Sequence, residues 1–238
     1  MIEDPYVYPG TEVLRNNYGI KDKEQLDIVE NIITKAQMRG VIQEPISMDA
    51  HSYQNIHKHI FGKVYPWAGE LRIVDMSKGD SFFCRAERLV PEMNKRFELI
   101  KDDNYLKNLS EKEFAQKAAE HISELNAIHP FPEGNGRTNR LFLENIARQA
   151  GHHFDQRLLD PQNWNDSSID SFKHQDYKLL ASEIEIAIVD PEKTKNFTDP
   201  VKLRHAREIE YYKTTPDKNN PVLETLRKQD RDDHDRSR

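Results

Sequence analysis

The sequence predicts an all-α domain, mainly α-helical, with one β-hairpin. Three observations support this. Apolar residues recur at helical spacing in most segments. Only residues 71–84 read as two strand-like runs about a turn. A short loop rich in turn residues, from His129 to Gly136, sits between two of the helical segments.

The elements follow in order. Residues 1–22 are punctuated by Pro, Gly and Asn and read as an ordered coil whose tyrosines (Tyr6, Tyr8, Tyr18) pack on the domain. From Lys23 to Arg39, Leu26, Val29, Ile32, Ile33 and Ala36 line one helix, and Gly40 is its expected stop. Asp49 is the expected N-cap of a second helix, with Tyr53, Ile56, Ile60 and Phe61 on one face and Gly62 at its end. "LRIVDMS" is strand-like, Lys78-Gly79-Asp80 is a turn, and "SFFC" is the return strand. Leu89, Met93, Phe97 and Ile100 mark a third helix. Ser110 caps a fourth, with Phe114, Ala118, Ile122 and Leu125. A fifth follows the loop, with Leu141, Phe142, Ile146 and Ala147, and Gly151 stops it; it is apolar on several sides and so expected at the centre. Helices near 166–172 and 175–189 complete the core.

Composition shifts near Asp190-Pro191. Nearly half of the residues from 191 to 238 are charged, against little over a quarter of those before them. A first domain of 1–190 and a charged C-terminal tail or linker of 191–238 are therefore expected. Residues 203–214 and 221–229 are candidate surface helices, and the end "RKQDRDDHDRSR" reads as disordered.

The net charge of −6 gives no sign of a general nucleic-acid binder. No stretch approaches the ~18 apolar residues of a membrane span, so no membrane insertion is expected. The N-terminal "MIEDPYVYPGTEVLR" has early acids and no apolar run, so no Sec signal is expected in it. Cys84 is the one cysteine, which permits no internal disulfide and fits a reducing compartment. It reads as a small buried apolar residue. His51, His57 and His59 read as surface or core histidines, His152-His153 as a solvated helix end, and Trp164 and Tyr177 as core.

The chemistry concentrates in "HPFPEGNGRTNR", His129 to Arg140. Pro130 stops the preceding helix. Phe131 is apolar in a polar loop and is expected to anchor it. Gly134, Asn135 and Gly136 precede a new helix, where successive N–H groups and the helix dipole favour an anion. Arg137 and Arg140 extend from nearly one face of that helix's first turn. Cations there are locally unfavourable, so the pair calls for an anionic ligand. Glu133 is suited to hold Mg²⁺ on a phosphate oxygen. His129 can take a proton from a hydroxyl near neutral pH. These are the parts of a phosphate-transfer site. The segment is neither a Walker loop nor G-x-G-x-x-G.

This stretch resembles the Fic motif, HPF-x-[DE]-GNGR-x-x-R, at every fixed position. "FGKVYPWAGELR" (61–72) and "VDMSKGDSFFC" (74–84) resemble the approach to the family's hairpin, or flap, and the flap itself. "YPGTEVLRNNYGI" (8–20) is similar to the start of Fic domains in Bep-type effectors of type IV secretion and in related toxins. The resemblance covers about 1–190.

It implies a protein adenylyltransferase that moves AMP from ATP to a Tyr, Thr or Ser hydroxyl and releases pyrophosphate. His129 matches the catalytic base, Phe131 the loop anchor and Glu133 the Mg²⁺ ligand. Gly134, Asn135 and Gly136 match the phosphate nest. Arg137 matches an arginine on the nucleotide phosphates, and Arg140 the one on the γ-phosphate. The flap, Ile73, Val74, Asp75, Met76, Ser77, Lys78, Gly79, Asp80, Ser81, Phe82 and Phe83, matches the edge to which a target segment adds as a strand. Glycine at 136 favours AMP transfer over the phosphoryl-transferring relatives, which carry lysine there. Phosphoryl transfer, phosphocholine transfer and an idle binding module are the alternatives. The inhibitory pattern [ST]-x-x-x-E-[GN] is not matched. Glu30, Glu133 and Glu144 precede Asn or Gly, but Leu26, His129 and Arg140 stand four residues before them. A separate small antitoxin, supplying a glutamate to Arg140, is therefore the expected inhibitor. The resemblance implies a bacterial cytoplasmic protein, or one delivered into a host cell as an effector.

Overall fold

The computed structural model describes residues 4–39, 47–79, 81–194 and 199–214. Helix α1 (Lys23–Arg39) leads to α2 (Ala50–Phe61), which Asp49 caps by accepting the Ser52 N–H at 2.7 Å. Strands β1 (Ser77–Lys78) and β2 (Ser81–Phe82) form an antiparallel hairpin with Ser77 opposite Phe82. Then come α3 (Leu89–Asp102) and α4 (Glu111–Ile128). Ser110 and Glu113 form a reciprocal capping box at the start of α4. Helix α5 (Asn135–Ala150) ends at Gly151 in the left-handed conformation. Helices α6 (Pro161–His174), α7 (Lys178–Ala187), α8 (Pro191–Thr194) and α9 (Pro200–Thr214) follow.

Helix α5 is central, as its apolar pattern predicts. It packs against α2 and α4 and buries Leu141, Phe142, Leu143, Ile146 and Ala147. Helix α4 packs in turn on α3, α6 and α7. The Tyr53 ring meets Phe97, Phe131 and Phe142 at centroid separations of 5.8, 5.7 and 5.5 Å, joining α2, α3 and α5 to the motif loop. Tyr53 is fully buried, and its hydroxyl donates to Asn139 Oδ1, so it brings no unsatisfied polar group into the core. Helix α9 docks on α7 through buried Leu203 and an Arg204–Glu183 ion pair at 3.0 Å.

Five expectations differ from the structure. "LRIVDMS" is not a strand over most of its length, because other partners claim its polar groups. The Arg72 N–H donates to Pro130 O at 2.8 Å, the Ile73 N–H donates to Tyr6 Oη at 3.0 Å, and Asp75 accepts the Ala86 N–H at 2.7 Å. Tyr6 and Tyr8 pack against the core, but Tyr18 is half exposed. Asn16 fixes the turn there by accepting the N–H groups of Tyr18 and Ile20, which leaves the ring outside. Cys84 is partly rather than fully buried, because it sits at the rim of the core where the hairpin returns to α4 and its N–H donates to Ala127 O at 3.1 Å. His152 is not solvated: its N–H bonds back to Ala147 O past the Gly151 turn, and its ring lies 4.6 Å from that of Phe114. Helix α6 starts at 161, earlier than expected, because Asp160 accepts from Gln162 and Asn163 and Pro161 presets the first turn. Gly40, Asp80, the candidate helix at 221–229 and the charged end from Arg227 lie outside the described residues.

Candidate active site

The loop between α4 and α5 is held open by buried contacts on both sides. His129 ends α4 in the left-handed conformation, φ 50° and ψ 59°, so the chain turns sharply before Pro130. Phe131 is fully buried between Tyr53 and His57, its ring 3.9 Å from the imidazole. The Asn135 side chain spans the loop from within. Its Oδ1 accepts the Phe131 N–H at 3.0 Å and its Nδ2 donates to Phe131 O at 2.8 Å. The Asn135 amide side chain is thus spent on the loop, and what it turns toward a ligand is its backbone N–H.

Gly134 and Gly136 differ in why they are glycine. Gly134 has φ +85°, and a Cβ there would lie 2.3 Å from the Phe61 ring. Gly136 has no positive φ, and a Cβ would meet only Arg140 Nη1, at 3.8 Å. Packing demands the first glycine. It leaves open space at the second. The first bond back into α5 is from Thr138 N–H to Gly134 O at 3.0 Å, so the N–H groups of Asn135, Gly136 and Arg137 precede the helical ladder.

The two arginines are in different states. Arg137 Nη1 lies 2.7 Å from Glu30 Oε1 of α1. The same nitrogen donates to Thr34 Oγ1 at 3.2 Å. Nη2 lies 3.3 Å from Glu133 Oε1. The guanidinium sits over the Phe61 ring, 4.5 Å from its centroid, within cation–π range. Arg140 has no hydrogen-bond or ion-pair partner among the described residues. Burial and the neighbouring Arg137 charge both push its pKa down. A half-buried, unpaired cation beside an open helix start is a site prepared for an anion.

Glu133 carries a half-exposed carboxylate. Its Oε1 takes the Gly134 N–H at 2.8 Å as well as Arg137, and its Oε2 takes no hydrogen bond among the described residues. No group of three or more His, Cys, Asp or Glu could cage a metal among the described residues. One free carboxylate oxygen beside a phosphate nest fits Mg²⁺, which typically takes one or two carboxylates plus substrate phosphates.

His129 presents one ring nitrogen without a partner among the described residues. Its Nδ1 lies 3.2 Å from Asn126 O. Only an N–H can make that contact, so the lone pair is on Nε2. Burial first, then the Arg72 and Lys78 charges, lower its pKa to about 4, so the ring is neutral at physiological pH. The flap's Phe83 stacks on it at 3.8 Å and 11°. Ile73 and Phe82 are exposed on the hairpin, and Ser77 and Lys78 form its first strand. Val74, Asp75, Met76 and Gly79 occupy the approach and turn.

Two supporting residues carry no mark in the sequence. Buried Arg72 donates to Val74 O at 2.6 Å, to Cys84 O, to Ile128 O at 3.3 Å and to His129 O at 2.8 Å, tying both feet of the flap to the base. His57 accepts the Gly69 N–H on Nδ1 and so donates from Nε2 to Glu133 O, each at 2.9 Å. Both lie far before their loop partners in the chain, and no local spacing marks them.

A helical bundle that presents an open helix start, an arginine without a partner among the described residues and a neutral histidine under a hairpin fits a phosphate-handling class. Residues 47–147 match the model of the Fic/DOC family. The chain is 40% identical over 184 residues to the probable protein adenylyltransferase y4lH of Sinorhizobium fredii, covering 77% of this chain and 95% of that one. It is 38% identical over 174 residues to protein adenylyltransferase VbhT of Bartonella schoenbuchensis, covering 71% of this chain but only 36% of VbhT. The solved structure of BepC, a VirB-translocated effector of Bartonella tribocorum with bound AMPPNP, matches with a TM-score of 0.75 at 28% identity, over 79% of this chain and 97% of that one. The chain belongs to the Fic/DOC family.

Proposed function

We propose that this chain is a protein adenylyltransferase that transfers AMP from ATP to a hydroxyl side chain of a target protein. The observation that carries this reading is the unpaired Arg140 beside open backbone N–H groups, next to a neutral histidine with a free Nε2. The relatives named protein adenylyltransferases and the BepC structure with a bound ATP analogue support it.

Neutral His129 Nε2 accepts the proton of a Tyr, Thr or Ser hydroxyl, while Asn126 O holds the ring through Nδ1–H. The hydroxyl oxygen attacks the α-phosphorus, the α–β phosphoanhydride bond breaks, and pyrophosphate leaves. The N–H groups at the start of α5 and the Arg140 guanidinium stabilise the charge on the phosphates. Glu133 would hold a Mg²⁺ ion, which would neutralise charge on the phosphate oxygens. Gly136 keeps the phosphate approach clear.

The target adds as a strand to the flap, Ile73 to Phe83, where Arg72 fixes the hairpin's feet relative to His129. Residues 1–190 carry the catalytic site and 191–238 are a charged C-terminal tail or linker, whose helix α9 nonetheless packs on α7. A separate antitoxin supplies a glutamate to Arg140, a cation without a partner among the described residues. The protein acts in the bacterial cytoplasm or in a host cell; among the described residues no helix is long and apolar enough to cross a membrane.

The test is incubation of the protein with α-labelled ATP and lysate, alongside a His129→Ala variant, followed by mass determination of the adduct. An AMP adduct that His129→Ala abolishes, with ATP binding retained, is expected. A phosphate or phosphocholine adduct overturns AMP transfer. Equal labelling by His129→Ala removes the base from the mechanism.

A further inference from the structure

Arg137 stands between two carboxylates on unequal terms. Glu30 Oε1 is 2.7 Å from Nη1, and Glu133 Oε1 is 3.3 Å from Nη2. The Glu30 side chain is 13% exposed and that of Glu133 48%. The Glu30 contact is therefore both shorter and less screened by water. Glu30 is itself held: the Tyr65 hydroxyl donates to its other oxygen, Oε2. Thr34, one turn along α1 and fully buried, accepts from the same Arg137 nitrogen at 3.2 Å. The Phe61 ring supports the guanidinium from below. Arg137 is thus held by α1 and by the end of α2, with Tyr65 fixing Glu30 behind it, and the Glu133 contact is the longest of its polar contacts.

We propose that Glu30 is a positioning residue for the active site: it satisfies Arg137 from α1 and so keeps the Glu133 carboxylate available to a magnesium ion on the nucleotide phosphates. This rests on the AMP-transfer reading. Without the Glu30 charge, Arg137 has one carboxylate left in reach, and Glu133 closes onto it. A metal ion then has to break that ion pair before it can bind. Partners that orient a metal ligand typically change metal affinity by about 10- to 100-fold when removed. This contact differs from an inhibitory glutamate, because it engages Arg137 and leaves Arg140 free.

The experiment measures ATP binding by calorimetry across a Mg²⁺ series for the wild type, Glu30→Gln and Tyr65→Phe. For Glu30→Gln, the Mg²⁺ concentration giving half-maximal ATP affinity rises by about tenfold, while saturating Mg²⁺ restores the wild-type affinity and kcat. Tyr65→Phe, which loosens Glu30 but keeps its charge, shifts the same midpoint less and in the same direction; it decides the question alone if Glu30→Gln does not fold. An unchanged Mg²⁺ midpoint with a lowered melting temperature overturns the proposal and leaves Glu30 a structural residue. Tighter ATP binding or faster transfer by Glu30→Gln overturns it and makes Glu30 a brake. Wild-type protein that binds ATP with Mg²⁺ but labels no protein overturns the transfer reading alone, since the binding midpoints still decide the role of Glu30. Wild-type protein that binds no ATP with Mg²⁺ overturns both.

Discussion

Gly134 and Gly136 are two residues apart, and alanine at each should have opposite effects on stability. At 134 the backbone is left-handed, which costs an L-residue about 1–2 kcal/mol. The added Cβ would also sit 2.3 Å from Phe61, a buried ring wedged beside His57. Overpacking of that kind costs about 1–3 kcal/mol. Gly134→Ala should therefore lose about 2–5 kcal/mol, or roughly 5–15 °C in melting temperature for a domain of this size. At 136 the backbone is ordinary helix and the Cβ would meet only the Arg140 tip, at 3.8 Å. Alanine there gains up to about 1 kcal/mol in helix propensity, raising the melting temperature by up to about 3 °C. In the proposed site its methyl group would stand where a phosphate approaches the backbone N–H, so ATP affinity should fall at least about tenfold, or ~1.4 kcal/mol. Thermal denaturation and calorimetric ATP titration read the two effects separately. A Gly136→Ala protein that melts below the wild type, or binds ATP as tightly, refutes the claim that the ligand rather than the fold requires this glycine.

Two further outcomes follow from the same geometry. Arg140→Gln should not lower stability, because no partner among the described residues is lost and a half-buried unpaired charge is removed, while ATP binding weakens by about 10- to 100-fold through loss of a charged hydrogen bond. Denaturant titration and calorimetry test both halves, and a large drop in stability would mean the arginine is structural. Fully buried His57 has its pKa lowered by burial from 6.5 to about 4, so the unfolded chain takes up a proton in that window and the folded chain does not. Its stabilisation is complete above the unfolded value of 6.5 and is lost as the pH falls towards 4. The loss over the first one and a half pH units below 6.5 is on the order of 2 kcal/mol. Denaturant midpoints at the two ends of that range should show this slope together with that of His129, whose pKa burial also lowers to about 4, and His57→Phe should remove about half of the combined slope; an unchanged slope would place the proton uptake elsewhere.

The helices are legible because each announces itself locally. Asp49, Ser110 and Gly151 sit where caps belong, and the apolar spacing of α4 and α5 matches the faces they bury. The motif is legible because its parts are contiguous, from His129 to Arg140. The first limb of the flap is not, because strand formation depends on free backbone partners. Pro130 O, Tyr6 Oη and Asp75 claim those partners from elsewhere in the chain or by side chain, which a reading of alternation cannot register. His57 and Arg72 leave no local trace for a related reason. Each acts on main-chain carbonyls of a distant loop, and a carbonyl has no sequence signature.

These same long-range contacts keep the motif's reactive groups free. A loop crowded with His, Glu and two Arg would be expected to collapse into internal ion pairs. Here the chain outside the motif meets those demands first. Arg72 takes the His129 carbonyl and leaves the ring, His57 takes the Glu133 carbonyl and leaves the carboxylate, and Glu30 takes Arg137. What remains unpaired among the described residues is Nε2 of His129, Oε2 of Glu133 and the guanidinium of Arg140. In the proposed reaction those three groups accept a proton, hold a metal and bind an anion. The residues before 73 therefore act as acceptors and donors for the motif's own surplus, and the unsatisfied remainder is the proposed active site.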